Sequence, residues 1–388
     1  MRQDTDVLIV GTGIAGASIA AFLAPTHRVV LLEAESQPGY HSTGRSAAMF
    51  MESYGTPTIR ALTRASRAFF ETPPEGFTAA PLLAPRGAMY VGTPAQREML
   101  DTLADELAPH APTVRRLSAA AAIERVPVLR SEEVAGAVLD PDATDLDVDA
   151  LHQGFLRRAK AHGAQVMCDA RVEAIAHENG LWRLRTARGE WRAPVVVNAA
   201  GAWADRPATL AGLAPIGLQP KRRAAFLFAP PAGAEIAAWP CVCGVDEAEG
   251  WYFKPDAGVL LGSPANADPV EPHDVRPEEL DIALGIARIE AMTTLAIRRP
   301  SHTWAGLRSF VPDGDLVAGF DPTASGFFWC AAQGGYGIQT APAMGELCAA
   351  WIRGEPTPRH IADGVWMLRT CRWRGCAHNL RPDWRTRS

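Results

Sequence analysis

The 388-residue chain has no strong charge excess, no cysteine framework, no internal repeat, no low-complexity segment and no long apolar run, and each absence excludes something. Lys and Arg number 38 against 43 Asp and Glu, a net charge of -5, so no strong field draws nucleic acid or an anionic membrane. Seven scattered cysteines (Cys168, Cys241, Cys243, Cys330, Cys348, Cys371, Cys376) lack metal-site spacing, and an odd count fits a reducing compartment. No metal is expected. The start, Met1–Asp6, is polar and carries two acids, and the apolar run after it is broken by Gly11 and Gly13. It reads as a buried strand, neither signal peptide nor transmembrane segment, so a cytoplasmic location is expected.

What remains is a globular composition, 47% hydrophobic and 21% charged, in a chain long enough for two lobes. Val7–Val10 is an apolar strand, Ala15–Leu23 is rich in helix formers, and Val29–Leu32 is a second strand. This is a βαβ unit in about thirty residues. Gly11, Gly13 and Gly16 form G-x-G-x-x-G between strand and helix. The first Gly makes the tight turn, the second lets backbone approach a pyrophosphate, and the third lets helix and strand pack closely. Ile14 and Ala15 open the helix, whose free N–H groups and partial positive charge suit phosphates. Glu33 ends the second strand, seventeen residues after Gly16, where an acid can accept ribose hydroxyls.

The next residues favour FAD over NAD. Ser42, Thr43, Gly44, Arg45, Ser46, Ala47 and Ala48 supply hydroxyls, backbone N–H groups and one guanidinium, suited to a second phosphate and the edge of a ring system. FAD is longer than NAD and would lie extended through the domain. Two later segments then find a use: "VVVNAAGAWAD", a buried strand ending in small residues, and "AAQGGYGIQT", a glycine turn entering a helix whose N–H groups could stabilise a reduced ring.

Further along, Thr56 is an expected N-cap with Pro57 at the first helical position of a helix reaching about Phe70. Helices are also expected at Pro94–Leu107, after Asp147 or Asp149, and at Pro277–Thr294. Gln219 to Ile297 otherwise patterns as strands. The chain leaves its first lobe twice and returns. The expected FAD-binding domain is therefore discontinuous (residues 1–80, 145–217 and 305–360), with residues 81–144 and 218–304 forming a substrate-binding domain. Residues 361–388, with "RTCRWRGCAHNLRPDWRTRS", read as a tail outside the fold.

The strings "GIAGAS", "QPGYHSTGRSAA", "DALHQG", "VNAAGAW", "GLQPKRR", "GSPANADPVE", "TWAGLRSF", "DGDLVAG" and "AAQGGYGIQT" resemble the D-amino-acid oxidase-like family of FAD enzymes, and within it the D-arginine dehydrogenases. The likeness covers roughly residues 5–355. It implies an α/β (α+β overall) fold of glutathione-reductase-like two-domain architecture. One domain is a Rossmann-like FAD-binding domain, and the other is a substrate domain on a large mixed or antiparallel sheet. It implies non-covalent FAD and oxidative deamination of D-amino acids to imino acids, which hydrolyse to 2-oxo acid and ammonia. Hydride would pass from Cα to flavin N5, and an electron acceptor (O₂, a quinone or another carrier) would complete the cycle. Arg223 in "KRR" and Arg308 in "GLRSF" match the family's carboxylate-binding arginines, whose fork suits two parallel hydrogen bonds. Tyr54, on a mobile lid stretch, and Tyr252 match pocket tyrosines, and Gly335 matches the glycine whose carbonyl receives the amine. Val172, Ala199, Gly201, Trp203, Gly306, Gly334, Tyr336, Gly337, Ile338 and Gln339 complete the expected cofactor contacts. No general base is assigned, since the amine can lose its proton to solvent.

Two departures bear on substrate. D-arginine dehydrogenases carry a Glu for the guanidinium of D-arginine where this chain has Ala88, and a pocket His where it has Met49. Losing a buried acid removes a few kcal/mol, about two orders of magnitude in selectivity. Neutral or apolar D-amino acids are therefore expected to be favoured over D-arginine, with Met49, Phe50 and Met51 as a soft lining. Glu52 could compensate, but is expected to face solvent. A sarcosine- or glycine-type secondary amine oxidase using O₂, and a non-catalytic flavoprotein, are the alternatives.

Overall fold

The computed structural model describes residues 2–365 except 110, 247 and 249. A six-stranded sheet runs in the order Gln165–Met167, Val29–Leu32, Val7–Val10, Val195–Asn198, Phe327–Ala331, Val317–Phe320. All neighbours are parallel except the last pair. Every residue of Val7–Val10 and Val29–Leu32 is buried, as expected for central parallel strands covered on both faces. The helix Ile14–Leu23 covers one face, built from small residues so that backbones can meet. A Cβ on Gly16 would lie 2.0 Å from the Gly11 carbonyl oxygen. A Cβ on Gly345, in the helix Ala341–Ile352, would lie 2.7 Å from Ser18 Cβ.

The second layer is a nine-stranded, largely antiparallel sheet. Its path is Asp268–Pro269, Gln219–Phe228, Val259–Ser263, Tyr252–Asp256, Cys241–Gly244, Ala88–Gly92, Gly136–Asp140, Arg115–Ser118, with His302–Phe310 paired to Gln219–Phe228. Residues 305–310, grouped from sequence with the dinucleotide lobe, thus hydrogen-bond within the large sheet. One face of this sheet packs a core of Phe226, Phe228, Trp239, Val242, Phe253 and Ile289. The mixed, two-layer α/β architecture is the fold class expected from sequence.

Local signals held where a side chain could act on backbone. Thr56 Oγ1 accepts from Ile59 N at 3.3 Å to start the helix Pro57–Glu71, and Asp147 accepts from Ala150 N at 2.8 Å to start Val148–Ala161. The helix expected from Pro94 opens instead as a 3₁₀ turn, Pro94–Gln96, before Arg97–Leu107. The last helix among the described residues, Arg359–Val365, buries Ile361 in the core around the six-stranded sheet, so the packed chain extends past residue 360. The Cys/Arg/Trp-rich stretch from 366 lies outside the described residues. Among the described residues no helix is long and apolar enough to cross a membrane, and no cluster of metal-ligating side chains is present.

Candidate active site

A long cavity runs between the two sheets, from Glu33 and Glu35 past the first glycine turn to Arg223, Tyr252 and Arg308. The first turn lines it through Gly11, Gly13, Ile14 and Ala15. Gly11 has φ +102°, and a Cβ there would lie 2.4 Å from Ala199 O, so only glycine lets this turn cross the neighbouring strand. Gly16 faces the turn's own backbone, not the cavity. Glu33 is buried, and its carboxylate is aimed by the turn: Oε2 accepts from Thr12 N at 3.0 Å and from the Thr12 hydroxyl, and Oε1 from Glu35 N at 3.1 Å. His152, also buried, reaches Thr12 O at 2.8 Å, and burial pushes its pKa down, so it serves this loop as a neutral ring.

The loop after the βαβ unit lines the next part through Ser42, Thr43, Arg45, Ser46 and Ala47. Thr43 Oγ1 accepts from Ile14 N at 3.0 Å, tying the loop to the helix start. The Arg45 guanidinium, expected to meet a phosphate, is turned elsewhere. It donates to Val275 O at 3.0 Å and Ala305 O at 3.1 Å and pairs with Asp274. Ser42 Oγ donates to Leu307 O at 2.7 Å, and Trp304 Nε1 to Arg45 O at 3.0 Å. This loop thus binds the two layers together. Gly44 and Ala48 do not reach the cavity; Gly44 closes a turn through its N–H to Gly39 O at 2.8 Å.

The far wall is the large sheet. Along His302–Phe310 alternate residues face one way, so Trp304, Gly306 and Arg308 line the cavity. Register sets Arg223 opposite Gly306 and Ala225 opposite Trp304, bringing both to the same face. The lining continues with Val172, Ala199, Gly201 and Trp203, and with Gln333, Gly334, Gly335, Gly337 and Ile338 of the glycine turn after Phe327–Ala331. A Cβ on Gly335 would lie 3.0 Å from Arg308 Cζ and Nη1, so glycine lets the guanidinium rest on this turn. Sequence reasoning missed Trp304, Ala225, Gln333, Tyr40, His41 and Arg206 as lining residues. The alternation through Gly306 and Arg308 was the available signal for Trp304.

Arg223 and Arg308 share this cavity, and among the described residues neither meets a carboxylate. Arg223 Nε donates to Asn266 O at 2.6 Å, and Arg308 Nη1 to the Tyr54 hydroxyl at 3.4 Å. Burial, then the charge of Arg308, pushes the Arg223 pKa down to about 10. Two half-buried like charges without a carboxylate partner favour the arrival of an anion between them.

Tyr54 sits behind Arg308, its ring 4.9 Å from that of Tyr336. Ala88 is fully buried in a small cluster with Met51 and Ala143, against which Met49, Tyr54 and Tyr90 pack. Glu52 does not simply face solvent: it pairs with Arg67 at 2.6 Å, half-buried. Gln339 is buried away from the cavity. Its Oε1 accepts from Met51 N at 3.2 Å and its Nε2 donates to Thr63 Oγ1 at 2.9 Å. Met51 and Glu52, at the start of the stretch expected to be a mobile lid, are thus bonded to Gln339 and Arg67.

A glycine cradle, an aimed ribose acid, a helix N-terminus and a cavity continuing past them fit FAD, and fold and cavity define a flavin-dependent oxidoreductase. A family model described as "FAD dependent oxidoreductase" (DAO) matches residues 6–351, and the chain belongs to that family. Glycine oxidase of Bacillus licheniformis is 25% identical over 374 residues, covering 92% of this chain and 95% of that protein. FAD-dependent oxidoreductase domain-containing protein 1 of Bos taurus is 28% identical over 176 residues, 41% of this chain. That match spans only 35% of the bovine protein's length. The solved structure of L-alpha-glycerophosphate oxidase from Mycoplasma pneumoniae with FAD bound has TM-score 0.82 at 18% identity, covering 90% of this chain and 95% of that one. FAD is the cofactor.

Proposed function

We propose that the protein oxidises the carbon–nitrogen bond of a free D-amino acid to the imino acid, with neutral or apolar side chains favoured over D-arginine. The observation that carries this is the pair of uncompensated guanidiniums, Arg223 and Arg308, in the cavity that would hold FAD. A bidentate fork on a carboxylate fixes one end of an amino acid. The Gly335 carbonyl takes the amine, Tyr252 adds a hydroxyl contact, and Tyr54 orients Arg308. Two fixed points present Cα in a defined pose. FAD, held non-covalently by Gly11, Gly13, Ile14, Glu33, Ser42, Thr43 and the 334–338 turn, supplies the two-electron acceptor when bound. The amine proton leaves to solvent. Ala88, Met49 and Met51 form an apolar cluster that puts no carboxylate of its own toward a cationic side chain, and Glu52 is occupied by Arg67.

The full-length similarity to glycine oxidase favours a second reading, a glycine- or sarcosine-type amine substrate with O₂ as acceptor. Anaerobic mixing of the holoenzyme with D- and L-amino acids, glycine and sarcosine separates them. Faster flavin bleaching by neutral D-amino acids than by D-arginine supports the first. Bleaching by glycine or sarcosine alone, with peroxide formed in air, moves the assignment to the second.

A further inference from the structure

Asp140 ends the strand Gly136–Asp140 and is only 3% exposed, yet among the described residues it pairs with no cation. Register sets it opposite Ala88 on the neighbouring strand Ala88–Gly92. Its Oδ2 accepts from Ser53 Oγ at 2.5 Å and its Oδ1 from Asp142 N at 3.1 Å. Burial pushes its pKa up, while these hydrogen bonds pull the other way. A buried carboxyl held by hydrogen bonds but by no cation is unfavourable as simple packing.

Ser53, itself 4% exposed, precedes Tyr54. The contacts of Tyr54 itself are weak: a 3.4 Å hydrogen bond from Arg308, a ring contact with Tyr336, and a 3.3 Å turn bond from its N–H to Met51 O. The neighbours are fixed more firmly. Met51 is held by Gln339, Glu52 by Arg67, Thr56 by Asp315, and the Gly55 carbonyl by Arg60 at 2.8 Å. Ser53 is the residue next to Tyr54 whose side chain is tied to the large sheet.

We infer that Asp140 and Ser53 form a positioning pair that sets the Tyr54 hydroxyl against Arg308 and so tunes carboxylate binding in the catalytic cavity. This rests on the amino-acid reading above. Neither residue touches substrate; both act through Tyr54.

The test uses the FAD-loaded full chain carrying Ser53→Ala, Asp140→Ala, Asp140→Asn, Tyr54→Phe and Ser53→Ala/Tyr54→Phe. The expected result is a KM about tenfold higher for Ser53→Ala and Asp140→Ala, with kcat nearly unchanged, since ground-state binding is what is lost. Asp140→Asn, whose amide oxygen still accepts from Ser53, restores KM to within about threefold. The double variant should show a KM no higher than Tyr54→Phe alone, because both changes act through one hydroxyl. Additive effects would place Ser53 on another path and overturn the inference. An independent readout is amide hydrogen exchange of residues 51–55 without substrate, expected to speed up in Ser53→Ala and Asp140→Ala. Unchanged exchange overturns the inference even if no amino acid reduces the flavin, an outcome that would sink the amino-acid reading separately. Ser53→Ala removes one oxygen only, so it decides the matter if Asp140→Ala does not fold.

Discussion

Gly335→Ala isolates the substrate site from the fold. Gly335 does not have the positive φ that favours glycine, so alanine imposes no backbone strain there. The added methyl would sit 3.0 Å from Arg308 Cζ and Nη1 and 3.2 Å from Nε, against the 3.5–4.0 Å at which such atoms rest (~0.5–1 Å too close). The atoms that must yield belong to the far end of a flexible side chain, so the stability cost is below about 1 kcal/mol, a Tm change of about 2–4 °C at most. The function cannot yield so cheaply, because the displaced group is the fork that holds the carboxylate. A misplacement of about 1 Å in a positioning group costs on the order of 100-fold. The expected outcome is wild-type flavin content and near wild-type Tm, with kcat/KM for the best amino acid down about 10- to 100-fold. Steady-state kinetics beside a thermal melt of the same preparation measures both. Unchanged kcat/KM would show that Arg308 does not bind the reacting substrate.

Gly11→Ala combines φ +102° with a Cβ 2.4 Å from Ala199 O; about 1–3 kcal/mol of strain should appear as flavin lost on gel filtration, read from the visible absorbance per chain. Ala88→Glu places an acid in the buried cluster beside Met49 and should shift the kcat/KM ratio of D-arginine to D-methionine upward by about two orders of magnitude; an unchanged ratio would remove position 88 from the side-chain site. A small carboxylate lacking an amine should bind the oxidised holoenzyme steadily up to alkaline pH and weaken as pH rises through about 10. The sign follows from charge: Arg223 is lowered to about 10, so it is a cation below that pH and loses its proton above it. Flavin-perturbation titration across pH 8–11 measures it, and affinity independent of pH would detach Arg223 from anion binding.

The cofactor end of the cavity was legible because its demands are local. Gly11, Gly13 and Glu33 lie within one βαβ unit, and Gly11 is required by a turn and a close approach that no other residue type allows. The substrate end was legible only by resemblance. Arg223 and Arg308 meet because two strands distant in sequence pair with Arg223 opposite Gly306, a register that no single segment states. The wall residues Ala225 and Trp304 depend on the same pairing. Arg45 shows the converse: a guanidinium in a phosphate-rich motif suggested an anion, and the carbonyls of Val275 and Ala305 with Asp274 claimed it. Glu52 was expected in water because nothing local names Arg67, fifteen residues away, as its partner.

The attachments of the 42–46 loop to Leu307, Ala305, Val275 and Asp274 have a thermodynamic consequence. The loop that would wrap FAD is the one that rivets the two sheets, so cofactor binding and the docking of the layers are linked equilibria. Each tenfold rise in free FAD above its Kd adds about 1.4 kcal/mol to the docked state. The yield of folded protein from a cell is therefore a function of its flavin supply, and preparations made under riboflavin limitation will be poor in protein as well as in colour.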